Sequence, residues 1–158
     1  MTIRLATPDD FPFIRSIASR EENRPFISDD DETVLQAYID NPMAVLTIWE
    51  PKGIPEGFCY FAGFGAPSKT ILLVRLALDK PSSGLGRAFV DDLIAFGFNV
   101  LGAQRLWLDV ATDNPRAIHA YERAGFQHEG VLRRHWQRPT GAHTDLAIMG
   151  LLREEWAG

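Results

Sequence analysis

Two short stretches of this 158-residue chain carry residue types whose spacing suits the binding of an elongated, anionic ligand. The first is Ser83-Gly84-Leu85-Gly86-Arg87-Ala88, placed where a run of branched aliphatics gives way to a helical pattern. The leading N–H groups of a helix have no internal partner, point along its axis and carry about half a positive charge. Glycines there allow left-handed dihedrals and let a ligand meet the main chain with no β-carbon between. A pyrophosphate suits such a nest; close packing of helix on strand is the other use of the same glycines. Spacing separates the phosphate binders. The turn has no lysine followed by serine or threonine, so it is not a nucleoside-triphosphate P-loop. Position 89 is Phe rather than a third glycine, and the turn follows the fourth strand, which argues against a dinucleotide fold.

The second stretch is Asn114-Pro115-Arg116-Ala117-Ile118-His119-Ala120-Tyr121-Glu122-Arg123-Ala124-Gly125-Phe126. Asn114 caps, Pro115 opens the first turn and Gly125 closes the helix. Asn114 and Tyr121 are two turns apart and share a face, with small Ala117 between them. That face can lie close to an extended ligand, with an amide and a phenol as its polar points. The competing role for Tyr121 is a core aromatic whose hydroxyl bonds to the main chain.

These stretches must be positioned by the elements around them. Residues 2–6 read as a strand, and Thr7-Pro8 opens a helix with Phe11, Ile14, Ile17 and Ala18 on its apolar face. A second helix is expected over 30–39, its positive end beside Asp29-Asp30-Asp31-Glu32, and Asn41-Pro42 stops it. Strands over Ala44–Trp49 and 57–64 form a hairpin around Pro51-Lys52-Gly53. Thr70–Leu78 is apolar on both faces apart from Arg75 and reads as a central strand. A helix over 84–101, a strand over 105–110 and a helix over 114–124 follow. Strands over 126–135 and 144–151 close the chain around Pro139-Thr140-Gly141. The expected fold class is α/β: a mixed, largely antiparallel sheet of about seven strands with helices on both faces. Its centre is a parallel strand-helix-strand crossover, right-handed by the general rule.

Composition excludes other classes. With 46% apolar residues, 23% charged and 11% aromatic, the chain can bury a core and is read as one domain over residues 1–158. The single cysteine, Cys59, excludes a disulfide framework and a multi-thiolate zinc site, and the four histidines show no metal-ligand spacing. A net charge of −5 argues against nucleic-acid binding. The uncharged stretches at 57–68 and 93–104 fall short of a membrane span. MTIRLATPDD lacks a signal core. The expectation is a soluble, cytoplasmic protein with neither nucleic-acid nor membrane partners.

With both stretches in view, the chain resembles the GNAT family of N-acetyltransferases. That family's acyl-CoA turn, Gln/Arg-x-x-Gly-x-Gly/Ala, appears here as Ser83 to Ala88, with Ser83 in the leading position. Its later segment, Asn-x-x-Ala-x-x-x-Tyr-x-x-x-Gly-Phe, is matched at Asn114, Ala117, Tyr121, Gly125 and Phe126. The order of elements also matches, so the resemblance covers essentially the whole chain.

The resemblance implies transfer of an acetyl group from acetyl-CoA, as co-substrate and without a metal, directly to a primary amine. The acceptor is a small molecule or a protein N-terminus. Leu76, Ala77 and Leu78 would hold the pantetheine and polarise the thioester carbonyl through their main chain. Ser83, Gly84, Leu85, Gly86, Arg87 and Ala88, with Asn114, Ala117 and Tyr121, complete the coenzyme site. Tyr121 would protonate the departing thiolate. No carboxylate lies in strand 70–78, and Arg75 cannot act as a base. Asp109, twelve residues before Tyr121, is the best remaining base and matches a glutamate at that offset in ribosomal-protein alanine N-acetyltransferases.

The stretch Leu132-Arg133-Arg134-His135-Trp136, with Asp145 and Met149, is similar to that branch and to related small-molecule acetyltransferases. Arg133, Arg134 and Arg138 meet an anion or form a solvated hairpin rim. Glu21 and Glu22 shape the acceptor pocket or lie on the surface. Cys59 is read as a core residue. Family members are often dimers, so the resemblance allows a homodimer. The alternative function is a non-catalytic acyl-CoA-binding or sensing module, suggested by Ser83 and by the strand's missing carboxylate.

Overall fold

The computed structural model describes residues 2–158, Ser82 by its backbone alone. β1 (Ile3–Leu5) leads through a 3-10 turn at Pro8–Asp10 into α1 (Phe11–Ala18), and α2 (Glu32–Asp40) follows. β2 (Ala44–Trp49), β3 (Gly57–Ala62) and β4 (Thr70–Leu78) form a meander. α3 (Gly86–Ala95) continues as a π-helical turn over Phe96–Val100; then come β5 (Arg105–Ala111), α4 (Pro115–Ala124), β6 (Gln127–Gln137) and β7 (His143–Leu152). The sheet order is β1-β2-β3-β4-β5-β7-β6, and only the β4–β5 pair is parallel. The mixed sheet and its central crossover are as the sequence pattern predicts.

Two cores lie on opposite faces of this sheet. One joins Phe89, Val90, Leu93 and Ile94 of α3 to Cys59, Phe61, Ile71, Leu73, Leu106, Leu108 and Met149. The other joins Phe11, Ile14 and Ile17 of α1 and Leu35 of α2 to Leu46, Ile48, Phe58 and Tyr60. The alternation of strand side chains explains the sorting: Phe58 and Tyr60 face α1 and α2, while Cys59 and Phe61 face α3.

Several boundaries differ from the sequence reading. β3 ends at Ala62 because Gly63 turns the chain at φ +91°, where a β-carbon would lie 2.7 Å from the Thr70 carbonyl oxygen. The helix after the glycine turn loses α geometry at Phe96. There Gly97 packs on β5 so closely that a β-carbon would meet Leu106 Cδ2 at 2.7 Å. β6 and β7 are longer than expected, and three β6 residues, Arg133 to His135, stand opposite Asp145. Among the described residues, no helix is long and apolar enough to cross a membrane.

The start of α1 is fixed by charge. Asp10 accepts from Arg4 Nη1 and Nη2, each at 2.8 Å, and from the Thr7 N–H at 2.8 Å. The Arg4 hydrogen bond, opposed by burial, holds the Asp10 carboxyl below its ordinary value. A lowered carboxyl stabilises the fold fully above the unfolded value near 3.9 and loses that contribution as pH falls through the folded value. Asp10→Asn should therefore cost about 1–2 kcal/mol near neutrality and weaken the acid-side fall in stability, read from urea unfolding between pH 2 and 7.

Candidate active site

β4 and β5 pair over only three positions, Thr70↔Arg105, Ile71↔Leu106 and Leu72↔Trp107. Beyond them the strands separate. Residues 73–78, apart from Val74, remain paired to β3, while main-chain groups aimed toward β5 lack a strand partner there among the described residues. Exposed ladder groups of this kind take up a peptide-like ligand as they would another strand. Leu76, Ala77 and Leu78 lie along this free edge, and all three are half-buried.

A β-bulge adjoins the opening. Tyr60 pairs with Arg75 and Phe61 with Leu73, which leaves Val74 as the extra residue. An inserted residue reverses the alternation beyond it. Ile71 and Leu73 therefore pack with α3, as do Leu76 and Leu78, whereas Val74 and Ala77 pack with α1 and α2. Arg75 is turned to the same face, where its guanidinium meets Asp30.

The glycine turn lies at the end of β4. Gly84 is left-handed at φ +82°, and Leu85 occupies the N-cap of α3 with no side-chain cap. The first helical bond of this segment runs from the Phe89 N–H to the Leu85 carbonyl, so the amides of Gly86, Arg87 and Ala88 precede it. A β-carbon at Gly84 would meet nothing within 4 Å, and one at Gly86 only Leu78 Cδ1 at 4.0 Å. Close packing therefore does not explain either glycine. The space over the turn is open, as a coenzyme diphosphate requires. Ser83 is otherwise engaged, its hydroxyl donating to the Lys80 carbonyl at 2.7 Å. Arg87 pairs with Asp91 at 2.9 Å on the helix exterior.

α4 delivers the phenol. Its N-cap Asn114 accepts the Ala117 N–H at 3.4 Å through Oδ1, and Gly125 ends the helix at φ +109°. Arg116 donates to the Pro81 carbonyl at 2.6 Å and ties α4 to the glycine turn. The half-buried Tyr121 ring packs on the α3-side core and meets Phe126 edge-on, with centroids 5.9 Å apart. Burial, then the neighbouring Cys59 and Asp109, push its hydroxyl well above the ordinary tyrosine value. No fully buried side-chain polar atom among the described residues lacks a partner. Tyr121 Oη has no hydrogen bond to the described residues, so it is open to solvent or a ligand.

Asp109 stands on the opposite face of β5, since Leu106, Leu108 and Val110 face α3. Its side chain has solvent access, yet desolvation by the surrounding protein raises its carboxyl, while the charges of His135 and Arg75 act the other way. Asp109 and Tyr121 thus come from different faces of the sheet, and the Asp109 charge contributes to the rise at Tyr121. His119, Glu21 and Glu22 are exposed, and Cys59 is wholly buried.

Sequence reasoning missed part of the α1/α2 side. Tyr38 stacks on Tyr60 at 4.0 Å and donates to Asp30 at 2.7 Å. Arg138 pairs with Asp113, donates to Thr144 at 2.9 Å, and lies over the Phe26 ring at 5.5 Å. The acidic run at 29–32 contained the relevant signal, but only Asp31 caps α2. Asp29 and Asp30 reach Arg15 and Arg75. Among the described residues, no group of three or more His, Cys, Asp or Glu side chains is arranged to hold a metal.

This geometry has relatives. The Acetyltransferase (GNAT) family model matches residues 3–126, and the chain belongs to that family. Spermidine N(1)-acetyltransferase from Vibrio cholerae is 32% identical over 59 residues, 37% of this chain and 34% of the relative. The [ribosomal protein bS18]-alanine N-acetyltransferase of Escherichia coli K12 is 35% identical over 82 residues, 52% of this chain and 54% of the relative. The matched regions therefore span about a third to a half of these curated relatives. Among solved structures, the Vibrio cholerae spermidine N-acetyltransferase in complex with CoA and spermine has a TM-score of 0.84 at 18% identity, covering 99% of this chain and 98% of that one. A chimera of the Vibrio enzyme SpeG and hSSAT gives 0.84 at 19% identity, over 97% and 95%. At such identities the likeness is one of fold.

The open space above Gly86 separates the two uses of the turn. Gly86→Val should leave stability within about 1 kcal/mol, because valine and glycine differ little in helix preference. It should abolish the thermal stabilisation given by acetyl-CoA. A melting temperature lowered by many degrees would instead show a packing role.

Proposed function

We propose that the protein is an acetyl-CoA-dependent N-acetyltransferase acting on a primary amine of a small molecule or a protein N-terminus. The observation that carries this is the β4–β5 opening, with unpacked glycines at one end, Tyr121 on the α3 side and Asp109 on the other. In this reading the amides of Gly86, Arg87 and Ala88 hold the diphosphate, and the main chain of Leu76, Ala77 and Leu78 holds the pantetheine. Gly84 and Leu85 shape the turn, while Asn114 and Ala117 line the helix face beside the coenzyme. Ser83 contributes main chain, its hydroxyl being used internally.

Acetyl-CoA supplies an activated thioester when bound, so transfer requires no nucleophile from the chain. Main-chain donors preset on β4 are worth about 3–4 kcal/mol where negative charge develops on a carbonyl oxygen. Tyr121 Oη is protonated at neutral pH, though burial makes it a weaker acid than an ordinary tyrosine; it gives its proton to the leaving sulfur and regains one from the nitrogen as the amide forms. Asp109 takes a proton from the arriving amine, directly or through water. Freeing an α-amine near pKa 7.7–8.0 costs only about 1–1.4 kcal/mol at pH 7, against roughly 4.6 for a lysine. A carboxylate raised by desolvation is a stronger base than an ordinary one and suits the easier task.

The reading extends to a cytoplasmic protein, supported by its lone unpaired cysteine. It also extends to a homodimer, supported by β6, an edge strand with all but Trp136 exposed. The second reading, a non-catalytic acyl-CoA sensor, is favoured by the absence of a carboxylate on β4.

Release of free coenzyme thiol across a panel of amines and peptides beginning in Ala, Ser or Met decides between the two. Turnover with any acceptor removes the sensor; acetyl-CoA protection without turnover removes the transferase. Tyr121→Phe should lower kcat at least about tenfold and leave acetyl-CoA affinity unchanged. Asp109→Asn should lower kcat similarly and remove the acid limb of the pH–rate profile, because the wild-type carboxylate loses its basic form as pH falls through its raised value. An unchanged acid limb would assign the base elsewhere.

A further inference from the structure

The acceptor amine, on the reading above, arrives from the α1/α2 face, and this inference rests on that reading. Two ionisable side chains project from β4 and β5 on this face beside the opening: Arg75 and Asp109. The bulge at Val74 is what brings Arg75 here; regular alternation from Leu73 would have sent it toward α3. Arg75 is fixed in place, donating to Tyr38 Oη at 2.6 Å and Ser28 Oγ at 3.1 Å and pairing with Asp30 at 3.1 Å. Asp30 is thereby matched, and it also accepts from Tyr38.

The same holds around the mouth. Asp113 is paired with Arg138, Asp79 with Arg20 and Asp29 with Arg15. Asp109 has no ion-pair partner among the described residues; the charges of Arg75 and His135 act on it from a distance. Glu21 and Glu22 lie on the exposed rim, where salt screens them. A cation entering here meets in Asp109 a carboxylate without an ion-pair partner among the described residues, with a positioned guanidinium on the same face.

We propose that Arg75 is a specificity-determining residue that admits amines carrying a single positive charge and disfavours polyamines. One ammonium is accommodated by Asp109, where it gives up its proton. A second ammonium on the same molecule finds Asp30 already matched and would have to displace the Arg75 guanidinium to reach it. Discrimination of this kind works through a repulsive element built against the wrong ligand.

The test compares kcat/KM for spermidine, n-butylamine and an amidated, otherwise uncharged peptide beginning in alanine. Wild-type protein should favour the better monocation over spermidine by at least about tenfold. Arg75→Gln, which leaves Asp30 unmatched, should narrow that ratio at least tenfold, and Arg75→Lys should keep it. Spermidine used as well as or better than both monocations overturns the proposal. So does a ratio unmoved in an Arg75→Gln protein that melts as wild type does. Should Arg75→Gln fail to fold, wild-type protein saturated with coenzyme A is melted with millimolar spermine. Stabilisation overturns the proposal, and its absence supports it. Acetyl-CoA protection with no acetylation of any amine in the wider panel would instead end the transferase reading, and this inference with it.

Discussion

The structure depends on a parallel strand pair that stops after three residues. Had β4 and β5 stayed in register, their main-chain groups would have satisfied one another and closed the sheet. Separation beyond Leu72 and Trp107 leaves that bonding capacity unspent in the middle of the protein. The cost of an open ladder is tolerable because β3 still holds the other edge of β4 and β7 that of β5, both through long antiparallel registers. The two cores are anchored on those flanking pairs, so the gap is framed by rigid material on each side.

That frame also divides the chemistry. The α3/α4 side supplies the glycine turn and the phenol, and the α1/α2 side supplies the carboxylate and the guanidinium. They meet only where the sheet is split. The bulge at Val74 is integral to this division, since a single inserted residue gives β4 an apolar register toward α3 on either side of an arginine that faces the other way.

Much of the frame was legible in the amino-acid order. Ala44–Trp49 and Thr70–Leu78 stand as strands at the expected residues because turn-forming sequences bound dense branched and aromatic runs. α4 was legible at both ends, as Asn114 and Gly125 each have a single structural reason for being there. The split and the bulge were not. Both are changes of register, and a strand apolar on both faces carries no alternation in which to see one. The partner of Arg75 was hidden for another reason: Asp30 is remote in sequence, and its neighbours read equally well as helix-terminal charges. The glycine turn lay between these cases, its residues identifiable but the open space around Gly84 and Gly86 visible only in the structure.

Cys59 gains meaning from its position. A thiolate is a better nucleophile than an amine toward a thioester, and Cys59 neighbours Tyr121. Complete burial pushes its thiol well above the ordinary range and keeps it protonated. Facing the α3 side, it belongs to the packed interior. A thioester bound in the opening would therefore meet no thiolate from the chain's single cysteine.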